Sequence, residues 1–344
     1  MSQNASILTA LGSPLEIQKR DIPSPGPHQL LVKNHAIALN PVDHMMINTG
    51  YFVQSYPAII GTDIAGTVES VGPEVTRFKK GDRVAGFACS IGTGDPNEGA
   101  YQEYSLLQDN TTTKITDSIT YEQGAMLPMS VATSGVAIFL KQNIPRATSP
   151  SPQPGIYLVW GAASSIGTGA VQIARRLGFT VFATASPKHH AYIKKLGASE
   201  VFDYHDPNVE QAIVAAAKAT GKPITHAFTA VTKDGAAPLA AKILAHFTGG
   251  STGPIKLCTS LAWPAEEKLP EGIELSQTLA FLIGTENKEF GAWLFNDFLE
   301  GGLQSGEYVP SPEVEVVAGG LSGLSAGLDK LMAGVSGKKL MVTL

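Results

Sequence analysis

A run of seven residues in the middle of the chain, all small except Ile166, has the spacing of a phosphate-binding turn. The segment Gly161-Ala162-Ala163-Ser164-Ser165-Ile166-Gly167 lies between a predicted strand and a predicted helix. Small residues let the backbone approach a pyrophosphate, which the free N–H groups and dipole of a helix N-terminus then stabilise. Ala163 and Ser164 replace glycines that are common in this motif, so the segment alone also fits a structural βαβ turn.

The residues after the next predicted strand distinguish between the two nicotinamide dinucleotides. An NAD site usually carries Asp or Glu about 20 residues beyond the turn, where it binds ribose hydroxyls. This chain instead reads Ala185-Ser186-Pro187-Lys188-His189-His190. Lys188 and Ser186 would attract a 2′-phosphate that a carboxylate would repel, and Tyr204 could close over it. A lone Lys is often a solvated surface residue, but the helix dipole disfavours a cation here, so we expect NADPH.

Length and composition limit the classes of protein. A chain of 344 residues predicts two domains, and 43% hydrophobic with 16% charged residues indicates a globular protein. The formal net charge of −5 argues against nucleic-acid binding. The 2 cysteines cannot form a disulfide framework. Neither a signal peptide nor a membrane-spanning apolar run is visible, so we expect a cytoplasmic protein.

The elements that must position these residues change in character along the chain. The first third predicts many short strands, such as Gly61–Val71, and hence a barrel-like β domain. Tyr121–Leu140 has helical spacing broken near Pro128, and the Pro- and Ser-rich segment Pro145–Gly155 predicts an exposed loop. Beyond it, strands and helices alternate, which predicts βαβ units and a parallel sheet. These strands and helices are Ile156–Trp160, Gly169–Leu177, Thr180–Thr184, His189–Leu196, Val201–Phe202, Val209–Ala219 and Ala227–Thr229, and a last strand at Leu340–Leu344 is expected to return to the first domain.

Several short motifs, in this order, resemble the medium-chain dehydrogenase/reductase superfamily over essentially the whole chain. They are Asn40-Pro41-Val42-Asp43, Gly61-Thr62-Asp63-Ile64-Ala65-Gly66, Gly81-Asp82-Arg83-Val84, Leu127-Pro128, Leu196-Gly197-Ala198 and Ser336-Gly337-Lys338-Lys339-Leu340. The resemblance implies an α/β protein with two domains. A GroES-like, β-rich substrate and catalytic domain would comprise residues 1–128, completed by 286–344. A Rossmann domain with a doubly wound parallel sheet would bind NADPH and comprise residues 129–285.

Within the superfamily, Asn40-Pro41-Val42-Asp43 is similar to the quinone oxidoreductase and enoyl reductase branch, which lacks zinc. Zinc alcohol dehydrogenases would carry a Cys near Asn40 and a His where Thr62 stands, and Gly86–Gly99 contains only Cys89. Zinc needs three or four converging N or S ligands. We therefore expect no metal in the active site.

A narrower resemblance is to fungal secondary-metabolism reductases, including the trans-acting enoyl reductases that serve polyketide synthases. It implies that the adenosine half of NADPH is held by Ser164, Ser165, Ile166, Gly167, Ser186, Pro187, Lys188, His189 and Tyr204. It also places Asn40 and Thr133 near the nicotinamide ribose and carboxamide, with Thr133 and the Asn40–Asp43 segment fixing the nicotinamide face. The rest of the cofactor cradle would be Leu257, Cys258, Val335 and Ser336.

The substrate side is less well defined by sequence. Tyr51 occupies a position where many alkene reductases of the branch have a Tyr, so it is either a proton donor to the substrate or a surface aromatic residue. Met129 and the segment Phe281, Leu282 and Ile283 are expected to line an apolar substrate pocket, although such stripes are usually core.

Three functions remain open. The first is NADPH-dependent reduction of the C=C bond of an α,β-unsaturated carbonyl, in which orientation of the reactants supplies most of the rate enhancement. The second is quinone or carbonyl reduction on the same scaffold, and the third is NADPH binding without turnover. The expected partners are a small-molecule substrate and a polyketide synthase or carrier protein that presents it. We expect no membrane partner, and either a monomer or a homodimer.

Overall fold

The computed structural model describes residues 1–147, 151–250 and 253–344. The chain divides into two compact units. The first unit comprises Met1–Ala132 and Phe281–Leu344, and the second comprises Thr133–Ala280.

Strands predominate in the first third of the chain, and strands alternate with helices from Ile156 to Thr259. The strands are β1 (Ser2–Leu8), β2 (Leu15–Asp21), β3 (Gln29–Ala38), β4 (Asp63–Val71), β5 (Arg83–Phe87), β6 (Tyr104–Gln108), β7 (Thr112–Lys114), β8 (Ile156–Trp160), β9 (Thr180–Thr184), β10 (Glu200–Phe202), β11 (Ile224–Thr229), β12 (Ile255–Thr259), β13 (Ile273–Gln277), β14 (Glu313–Val316) and β15 (Lys338–Thr343). The α-helices are α1 (Pro41–Thr49), α2 (Ser90–Thr93), α3 (Tyr121–Ala125), α4 (Leu127–Gly135), α5 (Ser165–Arg176), α6 (His190–Leu196), α7 (Val209–Thr220), α8 (Ala236–Ala245), α9 (Lys288–Ala292), α10 (Glu300–Ser305) and α11 (Leu324–Ala333). Wider helical turns continue α4 at Val136–Lys141 and α9 at Trp293–Leu299, and 3-10 turns lie at Pro96–Glu98, Asp109–Thr111, Pro187–His189, Thr248–Gly250, Ala280–Ile283 and Gly320–Gly323.

The first unit is built on a mainly antiparallel sheet of seven strands in the order β14-β15-β3-β4-β5-β7, with β6 paired to β3. The predicted C-terminal strand is confirmed, because β15 returns to pair with β3 and places Met341 opposite Ala38. The register also places Asp63 opposite Ala38 and opposite Phe87. Asn40 lies two residues beyond the end of β3, so the register brings Asn40, Asp63 and the start of β15 to one end of this sheet.

The second unit is a parallel sheet of six strands in the order β10-β9-β8-β11-β12-β13. Its central strands β8 and β9 are mostly apolar and buried, as is typical of parallel sheets, and the core includes Leu158, Phe182 and Leu257. The chain runs outward from β8 to β10 and then restarts on the other side of β8 with β11. This reversal is the topological switch point of a Rossmann sheet, where ligands bind at the carboxyl ends of the strands. The expected combination of a β-rich domain and a doubly wound sheet is confirmed.

Some element boundaries differ from the sequence-based predictions. The helix predicted at Gly169–Leu177 begins four residues earlier, at Ser165, because the Ser164 side chain accepts a hydrogen bond from the Gly167 N–H and caps it. The break predicted near Pro128 falls at Met126, since proline is tolerated in the first turn of α4. Of the predicted loop Pro145–Gly155, residues 148–150 lie outside the described residues, and the others form neither helix nor strand.

One helix of the described residues is long and apolar enough to cross a membrane by length and composition. It comprises Tyr121–Lys141, and 83% of its most apolar window is buried inside the protein. Its apolar side chains are therefore explained by packing in a core.

Candidate active site

The glycine turn of the second unit joins β8 to α5 in a conformation that requires glycine at both ends. Gly161 has a φ of +78°, in the left-handed region. A Cβ on Gly167 would lie 2.3 Å from the Gly161 carbonyl oxygen. The Gly161 N–H donates a hydrogen bond to Thr184 Oγ1 at 3.0 Å, which connects the turn to the end of β9. The backbone therefore passes close to the first turn of α5, as a dinucleotide-binding turn does.

The hydroxyl of Ser164 is used within this turn. It donates to the Gly161 carbonyl at 2.8 Å and accepts from the Gly167 N–H at 3.1 Å. The first turn of α5 thus contributes its remaining backbone N–H groups and its dipole to an anion. The turn fits the pyrophosphate of a dinucleotide.

A polar and basic edge lies at the carboxyl ends of β9 and β10. These strands are parallel neighbours, with Phe202 opposite Thr184. The Ser186 and Tyr204 hydroxyls are therefore brought to a hydrogen-bond distance of 3.1 Å. Lys188 is exposed beside them, and the pKa of His189 is lowered by burial and by the charges of Lys188 and His190. The structure thus brings together Ser186 and Tyr204, with Lys188 two positions further along the chain.

In the first unit, Asn40, Asp63 and Lys339 form a buried polar cluster. Lys339 is 4% exposed and Asp63 is 0% exposed. The Lys339 ammonium donates to Asn40 Oδ1 at 2.5 Å and to Asp63 Oδ2 at 3.1 Å, and it forms an ion pair with that carboxylate. The Asn40 amide donates to Asp63 Oδ2 at 2.9 Å and to Thr62 Oγ1 at 3.1 Å. The Met129 backbone N–H donates to Asp63 Oδ1 at 2.7 Å.

A second carboxylate, Asp43, belongs to the same buried network. Its Oδ2 accepts from the Asn40 backbone N–H at 2.8 Å and from the Tyr101 hydroxyl at 2.9 Å. Burial raises the pKa of Asp43 to about 7, although the hydrogen bonds from Asn40 and Tyr101 oppose the shift. Burial also raises the pKa of Asp63, against the opposing charge of Lys339. Two buried carboxylates thus share one cation, and one of them titrates near neutral pH.

This cluster does not fit a zinc ion. Its side chains are an amide, a hydroxyl, a carboxylate and an ammonium, and the ammonium already neutralises the carboxylate. Zinc in proteins takes Cys, His or carboxylate ligands in a tetrahedral set. Among the described residues, no group of three His, Cys, Asp or Glu side chains could hold a metal ion.

The residues predicted on the substrate side lie in two places in the first unit. The Tyr51 ring packs edge-on against the Phe52 ring, with 4.3 Å between the ring centroids. The Phe52 ring packs in the same way against Phe281, with 4.8 Å between the centroids. Burial raises the pKa of the Tyr51 phenol. Phe281 and Leu282 are half-buried, but Ile283 is fully buried. Met129, also half-buried, adjoins the polar cluster through its backbone.

The remaining predicted cofactor residues differ in exposure. Leu257 and Cys258 are fully buried in β12, and burial raises the pKa of the Cys258 thiol to about 11. Thr133 is 7% exposed, and its carbonyl accepts a hydrogen bond from Thr278 Oγ1 at 2.8 Å. Val335 and Ser336 lie in the loop between α11 and β15.

Asp63 and Lys339 are recognisable in the sequence only as parts of motifs, with no predicted role of their own. A signal was present, because Asp63 stands beside apolar residues in the predicted strand Gly61–Val71 and Lys339 directly precedes the predicted strand Leu340–Leu344. Such a residue, when buried, requires a partner of opposite charge. The two are 276 positions apart, so only the strand register could pair them.

Comparison with known proteins agrees with this architecture. Residues 26–117 match the alcohol dehydrogenase GroES-like domain family, and residues 165–251 match the zinc-binding dehydrogenase family. The trans-enoyl reductase tndF of Aspergillus flavipes is 38% identical, over 99% of this chain and 98% of its own length. The trans-enoyl reductase tazE of Aspergillus terreus is 44% identical, over 63% of this chain and 74% of its own length.

A solved structure shows the same likeness over the full length. The quinone oxidoreductase of Pseudomonas syringae pv. Tomato DC3000 is 26% identical, covers 100% of both chains and superposes with a TM-score of 0.74. The dinucleotide-binding fold indicates a nicotinamide cofactor. The chain therefore belongs to the medium-chain dehydrogenase/reductase superfamily and is an oxidoreductase.

Proposed function

We propose that this protein is an NADPH-dependent reductase of the C=C bond of an α,β-unsaturated carbonyl compound. The observation that carries the proposal is its 38% identity, along 99% of the chain, to a protein named a trans-enoyl reductase. The buried cluster of Asn40, Asp63 and Lys339 supports it, because this site has no ligand set for a Lewis-acid metal. Reduction of an unactivated carbonyl or oxidation of an alcohol depends more strongly on such a metal.

The preference for NADPH rests on the edge formed by Ser186, Lys188 and Tyr204. The two hydroxyls lie 3.1 Å apart, and the residues from 185 to 199 include no carboxylate. A 2′-phosphate would gain charge-assisted hydrogen bonds at this edge. A ribose 2′-hydroxyl would find no carboxylate acceptor there.

The cofactor would be held by the turn at Ser164–Gly167, by the basic edge and by Thr133 on the nicotinamide side. Bound NADPH would supply the hydride for the β-carbon, and a proton must reach the α-carbon. The charge that develops on the carbonyl oxygen requires only one hydrogen-bond donor. We assign this role to the Tyr51 hydroxyl, with the apolar side chains of Met129 and Phe281 beside the substrate.

A carrier-bound acyl chain is the substrate that we propose for this site in the cell. The support is again the relatives named trans-enoyl reductases. Free enones would then be reduced more slowly than the same group presented as a thioester on a carrier protein.

The test is to incubate the protein with NADPH or NADH and a panel of enones, quinones and aldehydes. We expect NADPH oxidation with enones, a saturated carbonyl product, and unchanged rates after exhaustive treatment with a chelator. Tyr51→Phe should lower enone reduction, and Tyr56→Phe, an exposed tyrosine five residues away, is the matched control. Faster turnover of aldehydes than of any enone, or loss of activity on chelation, would contradict the proposal.

Quinone reduction is the second candidate. The 26% identity to a quinone oxidoreductase over the full length of both chains favours it. The same panel separates the two functions, because a quinone reductase would turn over quinones faster than every enone.

A further inference from the structure

Ser90 carries a buried hydroxyl that lacks a protein partner. The residue is 7% exposed, and its Oγ has no hydrogen bond to any residue that the structure describes. Its neighbour Thr93 differs, because the Thr93 hydroxyl bonds the Cys89 carbonyl at 3.2 Å and the Glu98 carboxylate at 2.8 Å. Burial of an unsatisfied hydroxyl costs about 1–3 kcal/mol, so a hydrogen bond from the Ser90 hydroxyl to a ligand would offset this cost.

The same side chain lines a small cavity in the first unit. The cavity has a volume of about 20 Å³, which is enough for one water-sized group. Its apolar walls include Met46, Phe52, Ile59 and Ile60. Gln54 also lines it, but its amide already donates to the Gly92 carbonyl at 3.1 Å. Ser90 is therefore the buried side chain of this cavity whose oxygen has no hydrogen-bond partner among the described residues.

The cavity adjoins elements that carry the proposed chemistry. Met46 lies in α1, the helix that begins directly after Asn40. Phe52 packs between the rings of Tyr51 and Phe281. The segment that leads to Ser90 is fixed to the segment before Asp63, because the Ala88 N–H donates to the Thr62 carbonyl at 2.7 Å. All these contacts lie within the first unit.

We propose that Ser90 is a substrate-positioning residue whose hydroxyl donates a hydrogen bond to one oxygen atom of the substrate chain. The cavity admits only one small group of the substrate chain, so the carbon skeleton lies outside it and the Ser90 hydroxyl selects a hydroxyl or keto oxygen that enters from one position along the chain. The preferred substrate class is thus an enone with an oxygen on its chain, in preference to a purely alkyl enone. This inference rests on the proposed function for its substrate class and is tested separately by binding.

The binding test uses saturated ketones, which cannot be reduced at a C=C bond. Octan-2-one and its derivatives with one hydroxyl at carbon 5, 6, 7 or 8 are titrated into the protein by calorimetry with NADP⁺ present. We expect at least one hydroxyketone to bind about five- to tenfold more tightly than octan-2-one, the gain of one hydrogen bond. Ser90→Ala should abolish this difference and leave octan-2-one within about twofold of its wild-type Kd.

Two further variants control for shape and location. Ser90→Cys nearly keeps the shape but is a weak donor, so it should lose most of the preference. Ser55→Ala removes an exposed serine at the same cavity and should leave the preference intact.

Ser90→Ala should fold with an unchanged or higher Tm, because the lost hydroxyl has no partner among the described residues. A lower Tm together with a retained preference would indicate a buried structural water and would overturn the inference.

The outcomes separate this inference from the proposed function. A wild-type protein with no preference among the ketones overturns the role of Ser90, whether or not enones are reduced. A preference that disappears in Ser90→Ala, with no enone reduction by the wild type, supports Ser90 and contradicts the enone reductase proposal. If enones are reduced, kcat/KM for the matching hydroxyenone should fall about five- to tenfold in Ser90→Ala.

Discussion

Replacement of Lys339 by Met tests the buried cluster most directly. The substitution keeps an unbranched side chain but removes the ammonium that lies 3.1 Å from Asp63 Oδ2 and 2.5 Å from Asn40 Oδ1. Asp63 is 0% exposed, so water cannot replace the lost cation. The variant therefore leaves a carboxylate without charge compensation in the core of the first unit.

The expected loss follows from the geometry of the pair. At 3.1 Å and an effective dielectric constant of about 20, the attraction between the two charges is about 5 kcal/mol. Desolvation of both ions offsets much of this attraction in the wild type, but the variant retains the desolvated carboxylate. We expect the free energy of unfolding to fall by about 3–5 kcal/mol near pH 8.

Urea unfolding of a matched set of variants measures this loss. Lys338→Met is the control, because Lys338 is exposed and pairs with Glu315 on the surface at 3.0 Å. It should unfold like the wild type. The double variant Asp63→Asn with Lys339→Met removes both charges and should recover part of the loss, with a coupling of about 2 kcal/mol or more.

The stability loss in Lys339→Met should also depend on pH. Without the cation, Asp63 in the folded chain is more readily protonated, so the deficit relative to wild type should shrink as the pH falls towards 4. Equal stability of Lys339→Met and Lys338→Met at pH 8 would refute the buried ion pair. Strict additivity in the double variant would do the same.

Three further perturbations test other parts of the two units. Burial raises the pKa of Asp43 from 3.8 to about 7, so the folded chain holds a proton that the unfolded chain releases. The contribution of Asp43 to stability should therefore fall by at most roughly 4 kcal/mol as the pH rises from about 4 to about 7. In urea unfolding, Asp43→Asn should lessen the fall seen in the wild type, and an unchanged slope would contradict the prediction. In fluorescence titrations, Lys188→Ala should weaken NADPH binding by about 1–3 kcal/mol and leave NADH binding unchanged. The control Lys195→Ala should affect the binding of neither cofactor. Equal losses of affinity for both cofactors in Lys188→Ala would contradict a 2′-phosphate contact. Gly167→Ala places a Cβ 2.3 Å from the Gly161 carbonyl oxygen, so it should destabilise the fold by about 1–3 kcal/mol and weaken NADPH binding. The control Gly301→Ala has nothing within 4 Å of its Cβ and should bind NADPH normally.

Local signals made much of the second unit predictable from sequence. The strand at Ile156–Trp160 and the turn at Gly161–Gly167 follow from apolar runs and small residues within one short window, and both are present. Helix α5 was predicted too short because the cap at Ser164 depends on a side-chain hydrogen bond to Gly167, which periodicity does not reveal.

The first unit was harder to predict because its site depends on long-range register. Asn40 and Asp63 meet because β3 and β4 pair with Ala38 opposite Asp63, and Lys339 joins them only through β15. The unpartnered hydroxyl of Ser90 is equally invisible in sequence, because a partner is absent only once the packing around it is known. Tyr51 as proton donor stays a prediction.

The cluster also changes what can be expected of Asn40. Its amide N–H groups are committed to Thr62 and Asp63, and its Oδ1 accepts from Lys339. Because the Lys339 ammonium can only donate hydrogen bonds, the atom that it contacts must be the amide oxygen, and this fixes the orientation of the Asn40 amide. Asn40 is 3% exposed, so a ligand would find little of its side chain available. Its backbone N–H also bonds Asp43 and caps α1. Asn40 therefore acts on the site chiefly by fixing the start of α1, and the charge balance of Lys339, Asp63 and Asp43 determines how firmly that start is held.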